Sequence, residues 1–309
     1  MNRPRRPKRT VSGILLLDKP LGCSSNQALQ RVRSLYQAEK AGHTGSLDPL
    51  ATGMLPICLG QATKLCGYLL DSDKRYTATV RFGERTATGD AEGEVVQRSD
   101  ASGLTAAQIE MALQGFIGQI QQVPPMYSAL KHEGQRLYAL AREGVEIQRE
   151  PRTITVHALK LLRFEAGLAE LDVHCSKGTY IRTLAEDIAA AMGQCAHLRA
   201  LRRTAVAPFG SQRMLTLDEL ETISRQGFAA LDQQLLPALA GLSHWPRLSV
   251  DAAQAVAMRH GQALRWDLPL GQGLQAVTGA SGQLLCVAER DSHGLLAPRR
   301  WLADDASEA

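Results

Sequence analysis

Asp48 is the one acid in the run from Ala41 to Ile57, and His43 is its one candidate proton carrier. Gly42, Gly45 and Gly53 surround them, with Pro49 and Pro56. Pro49 biases Asp48 away from helical backbone, toward an extended or turn geometry. A carboxylate placed this way is either a turn former or a nucleophile held still. In a water-poor pocket it would tend to protonate, so a cation would be needed to keep it ionised. Arg182 is a candidate for that cation. It falls in the first turn of a predicted helix after Gly178 and Thr179, where positive charge opposes the helix dipole. It therefore either sits on an exposed surface or faces a buried carboxylate. Tyr76 lies on the apolar face of an alternating segment, as a core tyrosine or as a ring offered for stacking. His43 alone reads as a loop histidine.

The segments that must hold these residues are legible by period and by caps. Ile14–Leu17 is a short apolar run ending at Asp18, Lys19 and Pro20, which predicts a buried strand and a turn. Ser24 and Gln27 have capping-box spacing, and so do Thr105 and Gln108, and Thr216 and Glu219. The first of these helices should bury Ala28, Val32 and Leu35 and expose Arg31 and Arg33. The second should bury Ile109, Leu113 and Phe116. Residues 75–82 alternate, with Tyr76, Ala78, Val80 and Phe82 on the apolar face; Leu168–Cys175 alternates too. Ile181, Leu184, Ala185, Ile188 and Met192 recur at helical spacing, with Gly193 as the stop. Residues 121–152 interleave Lys131, Arg136, Arg142, Arg149 and Arg152 with Tyr127 and Tyr138. That pattern is either a basic flap on RNA or an exposed helical hairpin. Pro237, Gly241 and Pro246 mark residues 227–247 as a linker. Beyond Leu248 a helix over Asp251–His260 and three short strands are predicted.

With 309 residues, 44% hydrophobic and 21% charged, the chain has room for a main domain and a smaller one. A formal net charge of +4 is compatible with a nucleic-acid partner without establishing one. The six cysteines form no CxxC pair and no zinc spacing, so reduced thiols in a cytoplasmic protein are expected. No apolar run is long enough for a signal peptide or a membrane span. The basic arm at residues 1–10 is a solvated tail or an RNA contact. No GxGxxG, P-loop, HExxH or GxSxG motif is present, in keeping with an enzyme that uses no cofactor and no metal.

The run from Gly42 to Pro56 (GHTGSLDPLATGMLP) resembles the catalytic segment of the TruB family of tRNA pseudouridine synthases. Gly13–Gly22 (GILLLDKPLG) resembles the family's opening motif, and Arg75-Tyr76 and Cys175–Arg182 (CSKGTYIR) its other active-site segments. The matches come in family order over most of residues 11–210; residues 248–309 bear a weaker similarity to a PUA domain. The resemblance implies an α/β (α+β) fold, with a mixed, largely antiparallel sheet flanked by helices and a small C-terminal PUA-like β-barrel. It implies a catalytic domain over 11–247 with an RNA-gripping insertion at about 121–152. It makes Asp48 the nucleophile, Arg182 its partner and Tyr76 the ring stacked on an extruded uracil. His43 would enter the space the base leaves, and Tyr180 and Leu201 would wall the uracil pocket. Lys19 and Pro20 would support the loop from behind, and Lys64 would touch phosphate. Arg31, Arg33, Arg199, Arg202 and Arg203 join the basic residues of 131–152 as the expected RNA surface. The substrate implied is the T-stem-loop of tRNA at uridine-55; no protein partner is implied and a monomer is expected. Two rivals are a binding module with a vestigial site and a glycosidase. The second usually needs two acids across the bond, and the Asp48 segment offers one.

Overall fold

The computed structural model describes residues 8–128, 130–210, 212–266 and 271–303. In chain order the first elements are β1 (Gly13–Lys19), α1 (Ser25–Tyr36), β2 (Ala41–His43), β3 (Ala51–Leu59) and α2 (Cys66–Leu70). Next come β4 (Lys74–Phe82), the small hairpin of β5 (Glu84–Thr86) and β6 (Val95–Arg98), and α3 (Ala106–Gln114). β7 (Gly118–Gln122) precedes a second hairpin, β8 (Lys131–His132) and β9 (Gln135–Arg136), which leads into α4 (Leu137–Arg142). β10 (Arg152–Glu165), β11 (Leu168–Cys175), α5 (Ile181–Ala191) and β12 (Ala196–Val206) follow. The remaining elements are α6 (Leu217–Ser224), α7 (Phe228–Asp232), β13 (Arg247–Ser249), α8 (Ala252–Arg259), β14 (Leu264–Arg265), β15 (Gly273–Thr278), β16 (Leu284–Arg290) and β17 (Leu295–Trp301).

The main sheet runs β1-β3-β12-β4-β11-β10-β7, with β2 also bonded to β3. Its pairs are antiparallel except for β3 with β12. The predicted caps form: Ser24, Thr105 and Thr216 each close a reciprocal box with Gln27, Gln108 and Glu219. Each such cap contributes about 1 kcal/mol. Asp251 and Gln254 do the same for α8.

The two ends of the sheet are buried differently. In β4 and β11 the alternation is clean: Tyr76, Ala78, Val80, Phe82, Leu171 and Val173 pack with α3 and α5. In β1 and β3 both faces are covered, which is why the sequence there is continuously apolar rather than alternating. Leu15, Leu17, Leu55 and Ile57 face α1 and α6, whereas Ile14, Leu16, Met54 and Cys58 face α2 and the C-terminal strands.

Residues 247–266 and 271–303 build a curled, PUA-like sheet in the order β13-β15-β16-β17-β14, with Met258 of α8 in its core. Ala276, Val287 and Leu302 of this part share one core with Ile14, Leu16 and Phe209 of the main sheet. Residues 227–247 are not a linker. Leu231 and Leu242 are fully buried, and Leu236 exchanges two main-chain hydrogen bonds with Ile14. Proline and glycine there punctuate a packed segment of short helical turns. Between β7 and β10 the excursion spans 123–151, since Gln121, Gln122 and Arg152 belong to sheet strands. The arm expected at 1–10 lies outside the described residues except for its end. Arg9 there pairs with Asp232 at 2.5 Å and stacks over Phe228.

Candidate active site

β3 has two different neighbours on one edge. Ile57–Leu59 pair with β2, whereas Ala51–Gly53 pair with β12. The loop 44–50 emerges at this fork. Gly53 is what lets the fork close: its φ is +97°, and an added Cβ would stand 2.2 Å from the Arg203 carbonyl oxygen. No residue with a side chain fits there. The loop is pinned from the other side by Ser25, whose hydroxyl accepts from the Leu47 N–H at 2.7 Å and donates to the Leu47 carbonyl at 3.0 Å. Gly22 N–H donates to the Pro49 carbonyl. Asp48, on non-helical backbone before the Pro49 turn, is held on both sides.

Arg182 enters from the first turn of α5. Its Nη2 lies 3.0 Å from Asp48 Oδ2, and its Nη1 lies 3.3 Å from Asp90 Oδ2. The same guanidinium donates to the carbonyls of Thr88 at 2.9 Å and Tyr127 at 2.6 Å. A cation at this helix end is thus balanced by two carboxylates. Asp90 is 4% exposed and is itself fixed by the Thr88 hydroxyl and the Glu92 N–H. Asp48 is 51% exposed. Of the two placements open from the sequence, neither holds alone: a buried arginine orients a carboxylate that water can reach. Tyr180 precedes α5, and Gln122 of β7 bonds both its N–H and its carbonyl.

Tyr76 is 8% exposed. Burial pushes its phenol up, and the facing Arg203 guanidinium opposes that shift. Arg203, opposite Tyr76 in the β12–β4 register, is 1% exposed. It donates to the carbonyls of Met54 at 2.7 Å, Gly45 at 3.0 Å and Ser46 at 3.5 Å. Burial, with Arg203 nearby, holds His43 below the usual histidine range. Leu201 lies beside Ala51 on one side and Ala78 on the other. Lys19 is buried and caps the carbonyls of Pro20 and Cys23; burial lowers its pKa while Asp48 counteracts.

Asp48, Arg182, Tyr76, Tyr180 and Leu201 therefore converge on one loop, with His43 at its start. Sequence reasoning missed Asp90 and Ser25 and placed Arg203 on the RNA surface rather than behind the loop. The expected basic surface is smaller than its arginine count. Arg203 is internal, Arg202 forks onto Asp18, Arg31 pairs with Glu221, and Arg33 caps the carbonyls of Ala38 and Glu39. Lys64 donates to the Trp301 carbonyl rather than standing free for phosphate. Arg136 and Arg142 of the excursion lie 5.9 and 5.7 Å from the Tyr138 ring centroid. Away from the loop, Asp73, His157 and His174 bring ligand atoms within 4.8 Å of one another, the one metal-capable cluster among the described residues. The six cysteines are free thiols. No described helix is long and apolar enough to cross a membrane.

Comparison with known proteins gives three family matches in sequence. Residues 33–181 match the TruB family pseudouridylate synthase N-terminal domain. Residues 182–243 match the tRNA pseudouridylate synthase B C-terminal domain, and 246–302 the C-terminal part of pseudouridine synthase II TruB. The chain is 51% identical over 299 residues to tRNA pseudouridine synthase B of Methylobacillus flagellatus, covering 96% of this chain and 97% of that one. It is 50% identical to the protein of the same name from Pseudomonas aeruginosa, covering 98% and 99%. Among solved structures, the fold is similar to that of an archaeal box H/ACA sRNP Nop10-Cbf5 complex. The TM-score is 0.74 at 21% identity, over 97% of this chain and 89% of that one.

Proposed function

This chain belongs to the TruB family of pseudouridine synthases, and we propose that it isomerises uridine-55 in the T-loop of tRNA, with Asp48 as nucleophile. It is an isomerase acting on tRNA. The reaction breaks the N1–C1′ bond, turns the base and joins C5 to C1′, with a proton leaving C5. Composition is unchanged, so the chemistry calls for no redox partner. The observation that carries the reading is the 3.0 Å contact of Arg182 with Asp48, on a loop anchored at both ends beside Tyr76. A carboxylate already oriented and still accessible suits attack on the sugar or the base.

A stacked loop hides the glycosidic centre, so the target nucleotide has to be extruded. In this reading Tyr76 stacks on the flipped uracil, Tyr180 and Leu201 wall its pocket, and His43 fills the space it leaves. A neutral His43, as its lowered pKa favours, suits insertion into a nucleic-acid loop without a counterion. The excursion at 123–151 grips the T-stem-loop, and residues 248–303 extend the RNA contact. The enzyme acts as a cytoplasmic monomer without a metal.

The test is Asp48→Asn, which keeps the shape and removes the nucleophile. A T-stem-loop RNA should bind with nearly wild-type affinity, and no pseudouridine should form. Wild-type turnover by the purified variant would overturn the assignment.

A further inference from the structure

Three cations are buried behind the Asp48 loop, and their hydrogen bonds run to main-chain carbonyls. Lys19 caps Pro20 and Cys23, Lys74 caps Leu70 and Ser72, and Arg203 caps Gly45, Ser46 and Met54. Burying a guanidinium is costly unless its donors are hydrogen-bonded and its charge is balanced. Of the three, Arg203 stands apart in its placement. It occupies the fork where β3 changes neighbour, opposite Tyr76 in register. Two of its carbonyl partners belong to the loop that carries Asp48.

We propose that Arg203 is a positioning residue for the proton-transfer step: its guanidinium ties the Asp48 loop to β3 and β12, and its place opposite Tyr76 sets positive charge beside the phenol. This rests on the reading of Tyr76 as part of the active site. Once the C5–C1′ bond has formed, C5 carries a proton and N1 is doubly bonded to C6. As the C5–H bond breaks, its electron pair forms the C5–C6 double bond. The C6–N1 pair moves to N1, which takes a proton from water. The Tyr76 oxygen, as phenolate, takes the C5 proton and later returns it to solvent, so the base is isomerised with no net gain or loss.

A phenol in an apolar core is a poor source of phenolate, because burial disfavours the charged form. The groups facing Tyr76 are Arg203 from β12, Cys175 from the end of β11 and Asp48 from the loop. Cys175 and Asp48 push the phenol up further; Arg203 pulls the other way. Removing Arg203 therefore makes the phenolate harder to reach and leaves the loop less firmly seated.

The test uses single-turnover conversion of a T-stem-loop whose target uridine carries deuterium at C5, from pH 6.5 to 9.5. Arg203→Gln should be slower at neutral pH, by roughly tenfold for each unit by which the phenol is raised. Its pH profile should move upward, and its C5 deuterium isotope effect should exceed that of the wild type. Arg203→Lys keeps the charge and should recover much of the loss. It carries the same readouts if the Gln variant fails to fold, with melting temperature and RNA affinity measured for each. In a Tyr76→Phe background the isotope signature of Arg203→Gln should vanish. A uniform loss at every pH with no isotope effect would make Arg203 a scaffold only, and an unchanged rate would also overturn the proposal. Full activity of Tyr76→Phe by itself would instead remove Tyr76 from the site, a separate failure of the parent reading.

Discussion

Arg182 Nη1 lies 3.3 Å from the carboxylate of Asp90, a residue 42 positions from Asp48 that shares the same guanidinium. Asp90 is buried and held by the Thr88 hydroxyl and the Glu92 N–H. It is thus the fixed end of a three-residue chain whose free end is Asp48. The glycosidase alternative was set aside for want of a second acid. The fold supplies one in Asp90, but it is buried at 4% exposure and paired with Arg182.

Asp90→Asn should show how much this backing contributes. The variant keeps the shape and removes the charge that holds Nη1. Losing one charge-assisted contact of about 1.5–3 kcal/mol corresponds to roughly a ten- to hundredfold fall in turnover. Asp90 is buried, so RNA affinity should be little changed. Stopped-flow binding and single-turnover conversion separate the two. A variant with normal turnover would show that Asp48 alone is enough to place Arg182.

Lys74 makes the stability of this region depend on pH. Burial first, and Arg203 second, bring its pKa down to about 8. A lysine in the unfolded chain titrates near 10.4. Between those values the unfolded chain binds more protons, so stability rises with pH across that window. Below pH 8 the full cost of burying the cation is present. Urea unfolding of the wild type and of Lys74→Met at pH 7.5 and 9.5 tests this. The wild type should gain relative to the variant, by at most about 1.4 kcal/mol per pH unit. Parallel behaviour of the two proteins would place the Lys74 titration outside this range.

On the excursion proposed to grip RNA, Arg136 and Arg142 lie 5.9 and 5.7 Å from the Tyr138 ring and offer cations beside a stacking face. Each phosphate neutralised adds close to one unit to the slope of log K against log salt. Replacing both by Gln should flatten that slope by roughly one to two and weaken binding across RNA sequences alike. An unchanged slope would move the RNA grip elsewhere.

The loop was legible because it is contiguous: Asp48, its glycines and Pro49 stand in one run. The capped helices were legible because a capping box is a local hydrogen-bond pattern. Asp90 and Ser25 were not, since each acts through a contact between distant segments. Arg203 was misread for a sharper reason. It sits among Arg199 and Arg202 in a run that looks like a phosphate-binding surface. β12 carries register shifts between Leu198 and Ala200 and between Arg203 and Ala205. The register is continuous from Ala200 to Arg203, so neighbouring side chains alternate: Arg203 falls on the core face with Leu201, opposite Tyr76 and Ala78, while Arg202 is partly exposed on the other face. Residues 227–247 misled for the opposite reason: proline and glycine mark breaks in regular structure, which packed 3-10 turns contain as surely as linkers do.

Removing the C-terminal sheet should cost more than RNA affinity. Two separable domains would allow a chain ending before Leu248 to fold and to convert RNA at saturation. The packing argues otherwise. Ala276, Val287 and Leu302 lie in one cluster with Ile14, Leu16, Met54 and Phe209, and Lys64 caps the Trp301 carbonyl across the same boundary. Truncation would uncover part of the face of β1 and β3 that stands behind the Asp48 loop. Uncovering two or three large apolar side chains costs about 3–9 kcal/mol at roughly 1.5–3 kcal/mol each. In a chain of this length each kcal/mol lowers the melting temperature by roughly 2–4 °C. Calorimetry of the full chain and of residues 1–247 decides the matter. A single transition in the full chain, and a truncated form that melts well below it, is the expected result. Two independent transitions, with the truncated form keeping the upper one, would make the C-terminal sheet a separate domain after all.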